Sequence, residues 1–284
     1  NPKIGVYPDF LGEFELRKAI AQKLNEGHNL TLSGENEILI TVGAMEATAA
    51  VLFSIINNGD VVGVVTPNYT NHFSQIQLAR GKLREIPMKD KPNWAIDIAE
   101  VEKAAKEGMK LLFITTPNNP TGVIFSKSEM DDIVRLSKEY DFWVLSDETY
   151  HFLTFEDTPP SLLDWWGKGN DKLLTVRSFS KEYAMTGWRV GYLVAPKSAR
   201  NTFAKTHDAL VGTAPRISQH AALAAITGPQ NFVRESVTTL KSRRDMAIKE
   251  LGGMSEHLTC HTPSSTYYLM IHYKKDIRSV DLSE

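Results

Sequence analysis

Leu111-Leu112-Phe113-Ile114-Thr115 runs straight into Thr116-Pro117-Asn118-Asn119-Pro120-Thr121-Gly122. A short apolar run bounded by proline and glycine reads as a strand buried on both faces. Beyond the turn, Lys127 to Tyr140 has helical apolar spacing, and Trp143 to Ser146 is a second apolar run that stops at Asp147. Strand, helix, strand in that order predicts a parallel pair, because parallel neighbours need a long crossover and a helix supplies it.

The alternation extends both ways. Upstream, Glu13 to Leu24 reads as a helix, with Leu16, Ile20, Ala21 and Leu24 at helical spacing. Ile38 to Val42 is a strand ending at Gly43, and Ala44 to Asn57 a mostly apolar helix. Val61 to Val65 and Leu83 to Pro87 read as strands, Phe73 to Ala79 and Ile98 to Lys106 as helices. Downstream, Leu173 to Val176 and Val190 to Val194 complete the strands. The expected fold class is α/β, a mostly parallel sheet sandwiched by helices. Phe232 to Leu251 is one long helical pattern leading to two short strands, Leu258 to His261 and Tyr267 to His272. The predicted division is a large domain over 1–229, then a connecting helix and part of a smaller α+β domain over 230–284.

The chain has 284 residues, 42% of them hydrophobic, enough for a large core. Lys plus Arg is 32 against 34 for Asp plus Glu, so neither nucleic acid nor an anionic membrane is expected as a partner. No apolar run is long enough to span a membrane. The lone Cys260 allows no intrachain disulfide and suits a reducing cytoplasm. The start, Asn1 to Gly5, has neither an initiating methionine nor a signal peptide, so the chain is expected to begin within a longer gene product.

Parallel sheets bind ligands beyond the carboxyl ends of their strands. Gly43, Pro117, Asp147 and Ser178 each fall just past a predicted strand. Ser178-Phe179-Ser180-Lys181 is followed by Thr186-Gly187-Trp188-Arg189-Val190-Gly191-Tyr192, and Asp147-Glu148-Thr149-Tyr150 lies upstream. Alone, Lys181 reads as a solvated lysine and Asp147 as a helix cap. Together they supply an amine, a carboxylate and an anion cup, the parts that a pyridoxal phosphate enzyme provides around its cofactor.

On these motifs the chain resembles the class I/II aminotransferases of fold type I, the family that includes aspartate aminotransferase. The likeness runs from about Tyr7 to Tyr268. It implies that Lys181 carries pyridoxal 5'-phosphate as a Schiff base and moves the substrate α-proton. It implies that Asp147 pairs with the pyridine nitrogen, supported by His72, and that Tyr150 and Asn119 bond the phenolic oxygen. Ser178, Arg189 and the amides of Gly43, Ala44 and Met45 would bind phosphate, with no hydroxyl in that helix turn. Tyr69 would stack on the cofactor ring. Tyr7 would reach the phosphate of a partner subunit, which implies a homodimer with shared active sites. The implied substrates are an α-amino acid and a 2-oxo acid. A carbon-sulfur β-lyase or related eliminating enzyme uses the same lysine and aspartate, and a non-catalytic PLP-binding fragment is a further reading. The likeness fades before the position where the family binds the substrate carboxylate with a C-terminal arginine. A piece of a longer protein and a shortened domain both account for that.

Overall fold

The computed structural model describes residues 5–89, 94–156 and 158–274; Asn1 to Ile4, at the chain start, lie outside them. One sheet holds β1 (Ile38–Thr41), β2 (Val61–Thr66), β3 (Lys82–Pro87), β4 (Met109–Thr115), β5 (Trp143–Asp147), β6 (Leu173–Ser178) and β7 (Gly191–Val194). Their spatial order is β1-β7-β6-β5-β4-β2-β3. From β3 to β6 every pairing is parallel, while β7 is antiparallel to both β6 and β1. β1 therefore points the same way as β6, and β7 alone is reversed. The cause is the link 179–190, which holds only one α-turn, α6 (Phe179–Glu182), and a 3-10 turn. It returns along the same sheet edge instead of crossing a face. The mostly parallel α/β sheet expected from the sequence is the fold adopted, with this one reversal.

Side-chain alternation sends neighbouring residues to opposite faces. Leu111 and Phe113 of β4, Leu145 of β5 and Leu193 of β7 pack under α2 (Gly43–Ile55), α3 (Thr70–Leu78) and α7 (Lys197–Val211). Leu112, Ile114 and Val144 point the other way, under α4 (Ile98–Lys106) and α5 (Lys127–Tyr140). On that second face, Ile38, Ile40, Tyr192 and Val194 meet Leu16, Ile20 and Leu24 of α1 (Phe14–His28) and Ala222 of α8 (Arg216–Thr227). Each such aliphatic side chain contributes about 1.5–3 kcal/mol on burial. The ends of α5 are set by sequence: Ser126 Oγ accepts from Glu129 N–H at 3.2 Å, and Glu129 Oε2 accepts from Ser126 N–H at 2.7 Å. This reciprocal cap satisfies donors that a helix start leaves unpaired.

Three features differ from expectation. Both α7 and α8 occupy a stretch with no predicted element. Arg200, Phe203, Ala204 and His207 make a buried stripe on α7, but only two of them are apolar. In place of the predicted strand Tyr267 to His272 there is a shorter strand shifted toward the C-terminus, β9 (Ile271–Tyr273), paired with β8 (Leu258–Cys260). The segment before β9 instead docks on the 117–122 turn, where Ser265 N–H and Oγ donate to Gly122 O at 3.1 and 2.9 Å. Gly122 has φ +70, and a Cβ there would meet Pro263 at 2.4 Å, so this docking requires glycine. The long helix α9 (Asn231–Gly252) buries no residue. No helix among the described residues is long and apolar enough to cross a membrane.

Candidate active site

The carboxyl ends of β1, β4, β5 and β6 share one edge with the start of β7. Gly191 pairs with both Thr41 and Ser178, so Arg189, two residues earlier, enters at that edge. A cavity of about 220 Å³ opens there. Ala44, Met45, Tyr69, Asn119, Asp147, Tyr150, Lys181 and Arg189 all line it. Thr115, Thr149, Ser180, Thr186 and Tyr268 complete the wall.

Two glycines let the backbone close up around Arg189. Gly43 has φ +72, and a Cβ on it would lie 2.5 Å from an Arg189 guanidinium nitrogen. A Cβ on Gly191 would meet the Gly43 and Ala44 backbone at 2.8 and 2.9 Å. Without these side chains the Arg189 guanidinium lies against the start of α2. Arg189 Nη1 donates to Thr186 O at 2.8 Å, which orients the fork. The cap of α2, Val42, makes no side-chain bond to the helix amides, so backbone donors and a guanidinium converge. Ser178 stands one step back from the cavity. Its Oγ accepts from Ser180 N–H at 3.1 Å and donates to Ser180 Oγ at 2.9 Å. Ser180 is the hydroxyl on the wall.

Asp147 is buried at the tip of β5. Its Oδ1 accepts from Thr149 Oγ1 at 2.6 Å and Thr149 N–H at 3.0 Å. Its Oδ2 lies 3.4 Å from His72 Nε2, at ion-pair reach but long for a hydrogen bond. Burial pushes the carboxyl up, but His72 and the Thr149 bonds outweigh it and hold it below the ordinary carboxylate range. The His72 tautomer follows from its neighbour. Asn68 Oδ1 accepts from Tyr69 N–H at 2.7 Å and from Thr115 Oγ1 at 2.9 Å, so it is the amide oxygen. His72 Nδ1, 2.9 Å from that oxygen, must be the donor. Nε2 then donates toward Asp147 only in the doubly protonated ring. His72 is fully buried, stacked on Phe113 with centroids 4.1 Å apart, and edge-on to Tyr69.

Lys181 follows Ser180 on α6, with Nζ 5.8 Å from the centre of the Tyr267 ring. Tyr150 OH is 2.7 Å from Tyr268 OH and 3.2 Å from Tyr267 OH. Burial, then these hydroxyls, pushes the Tyr150 phenol far above its usual value. Burial leads in raising Tyr268 to about 12. Burial also raises Tyr267, but bonds with Tyr150 and Lys181 overcome it and bring that phenol below its ordinary value. Sequence reasoning did not place these two tyrosines in the site, because they lay in a predicted strand. Ser180 and Thr149 sat inside quoted motifs, and their hydroxyls were the available signal. Tyr7 is 87% exposed and lies away from the cavity wall, its carbonyl accepting from Arg216 at 3.2 Å.

Comparison with known proteins identifies the family. The model of the family "Aminotransferase class I and II" matches residues 1–284. A probable aspartate aminotransferase of Methanocaldococcus jannaschii is 30% identical over 261 residues, covering 90% of this chain and 67% of that protein. The aspartate aminotransferase of Thermotoga maritima is 30% identical over 270 residues, covering 95% and 70%. A solved mutant of Thermus thermophilus aspartate aminotransferase superposes with a TM-score of 0.90 at 29% identity, covering 95% of this chain and 74% of that one. The chain thus spans about two thirds to three quarters of these relatives' length. It belongs to the class I and II aminotransferases, a family of pyridoxal phosphate-dependent enzymes.

Proposed function

We propose that the chain moves an amino group between an α-amino acid and a 2-oxo acid, with pyridoxal 5'-phosphate held in the cavity at the sheet edge. The observation that carries this reading is the convergence of Lys181, Asp147 and Arg189 on one cavity. The donor set suits the cofactor. Gly43 leaves a cradle that a Cβ would fill, beside a guanidinium fork and free helix amides. When bound, the cofactor supplies an electron sink for the carbanion formed at the substrate Cα.

The chain's own residues do the rest. Lys181 Nζ would hold the cofactor at its aldehyde carbon and take and return the proton at the substrate Cα. Asp147, kept ionised, would accept from the protonated pyridine nitrogen, with His72 behind it. Tyr150 and Asn119 would donate to the phenolic oxygen, and Tyr69 would pack on the ring. Arg189, Ser178 and the amides of Gly43, Ala44 and Met45 would take the phosphate, with Ser180 nearest the cavity. Tyr7 is assigned to the phosphate of the partner's cofactor in a homodimer with shared sites; its exposure supports a role outside its own subunit. We assign residues 1–229 to the cofactor domain, 230–284 to a connecting helix and part of a small domain, and the enzyme to the cytoplasm.

Product analysis tests the reaction. Incubated with pyridoxal phosphate, amino acids and 2-oxo acids, the chain should interconvert two amino acid/oxo acid pairs. Release of ammonia and pyruvate without such exchange, or no turnover with any pair, would overturn the proposal.

A further inference from the structure

We propose that Glu46 and His207 form a positioning pair that holds the phosphate-binding turn, Val42 to Met45, in its receptive shape. The proposal rests on the cofactor site above. Glu46 is in the first turn of α2, and His207 reaches it from α7. Glu46 Oε2 accepts from Val42 N–H at 3.0 Å and from His207 Nδ1 at 2.9 Å. That bond is the reach-back half of a helix cap, fixing the amide just before Gly43, while Val42 has no side-chain oxygen to occupy the amides of Ala44 and Met45. The far end of the turn is tied separately: Gln75 Nε2 donates to Met45 O at 2.6 Å, and Thr48 Oγ1 donates to Gln75 Oε1 at 2.7 Å. Between the two ties lie Gly43, Ala44 and Met45, the residues whose amides face the anion site.

The pair is a poor device for stability alone. The His207 side chain is fully buried and that of Glu46 is 9% exposed. Glu46 Oε1 and His207 Nε2 are both shielded without a hydrogen-bond partner among the described residues. Such a pair carries a desolvation cost that apolar packing would avoid. Its gain is geometric: the Val42 amide is fixed to α7, so the turn cannot relax when the phosphate leaves.

Binding measurements on the full chain test this apart from turnover. The probes are pyridoxal phosphate, inorganic phosphate and pyridoxal, which lacks the phosphate. Glu46→Ala should weaken both phosphate probes on the order of tenfold, as loss of a charged hydrogen bond to the turn's backbone implies. Pyridoxal affinity should stay at the parent's value. Glu46→Gln keeps an acceptor oxygen for Val42 and His207 and should bind near the parent's level. His207→Phe, in case Glu46→Ala does not fold, should show the same phosphate-selective loss. Equal weakening of pyridoxal, parental phosphate affinity in Glu46→Ala and His207→Phe, or Glu46→Gln as poor as Glu46→Ala would each overturn the pair's role. A parent that binds inorganic phosphate but not pyridoxal phosphate would sink the cofactor reading instead, with the phosphate arm still deciding this one. A parent that binds neither overturns both.

Discussion

Asp147 sits under opposed pressures, since burial favours its neutral form while His72 and Thr149 favour the carboxylate, and the latter prevail. Asp147→Asn keeps the shape and removes the charge. The cofactor should stay, because the phosphate anchors are untouched, with a loss of about 1.5–3 kcal/mol at the ring. Turnover should fall further than binding, since charge develops as the substrate proton leaves. Single-turnover kinetics beside cofactor dialysis would show the split, and a near-parental rate would remove Asp147 from the ring-nitrogen role. His151 offers a pH test away from the chemistry. Burial, with Arg177 and His28 adding, holds its imidazole well below its usual value, and Nε2 has no hydrogen-bond partner among the described residues. Because the folded pKa is depressed, its contribution is intact above the unfolded value near ~6.5. As pH falls below that value the unfolded chain takes a proton the folded chain refuses, and stability drops by up to about 1.4 kcal/mol per pH unit. His151→Gln should flatten the urea midpoint between pH 7 and 5 relative to the parent; parallel slopes would contradict the burial argument. At this scale Lys181, Asp147 and Arg189 were legible because each sits in a spaced motif at a strand end. His151 was not, because nothing local marks a half-buried histidine as shielded beside an arginine.

The turn from β1 into α2 is where an element makes the site. Gly43→Ala puts a Cβ at φ +72 and 2.5 Å from the Arg189 guanidinium. The guanidinium is the flexible partner, so it should move and the backbone strain remain, on the order of 1–2 kcal/mol. We expect a modest fall in the urea midpoint with a much larger loss of cofactor retention. Arg189→Lys should retain the cofactor only partly, since an ammonium cannot reproduce the planar fork. Equilibrium dialysis decides both, and parental retention in either variant would place the phosphate elsewhere. The strands and most helices could be read from apolar runs and 3.6-residue spacing, with α5 and α4 at the bounds the structure gives. The reversal of β7 could not, because a strand's direction depends on where its connection runs, not on its own residues. The helix α8 was hidden for another reason: it buries Ser218 and Gln219 beside Ala222, so its inner face is not an apolar stripe.

At the scale of the whole molecule, the cavity draws on segments far apart in sequence, from Ala44 to Tyr268. Tyr7 lies outside it, 87% exposed, and close in sequence to the exposed Val6, Phe10 and Phe14. Exposed large apolar side chains recurring within one short stretch suit a subunit contact. In a two-fold dimer the contact is reciprocal, so each site gains a donor from the other chain. Complementation distinguishes this from a merely packed tyrosine. Tyr7→Phe chains mixed with Lys181→Ala chains form hybrids on subunit exchange. One hybrid site then has Lys181 from the first chain and Tyr7 from the second, and the other site has neither. Borohydride should fix cofactor to Lys181 at parental affinity in half of the hybrid sites, while the Tyr7→Phe homodimer needs more cofactor for the same yield. No recovered site in the hybrids, or a chain that binds cofactor as a monomer, would refute the shared site.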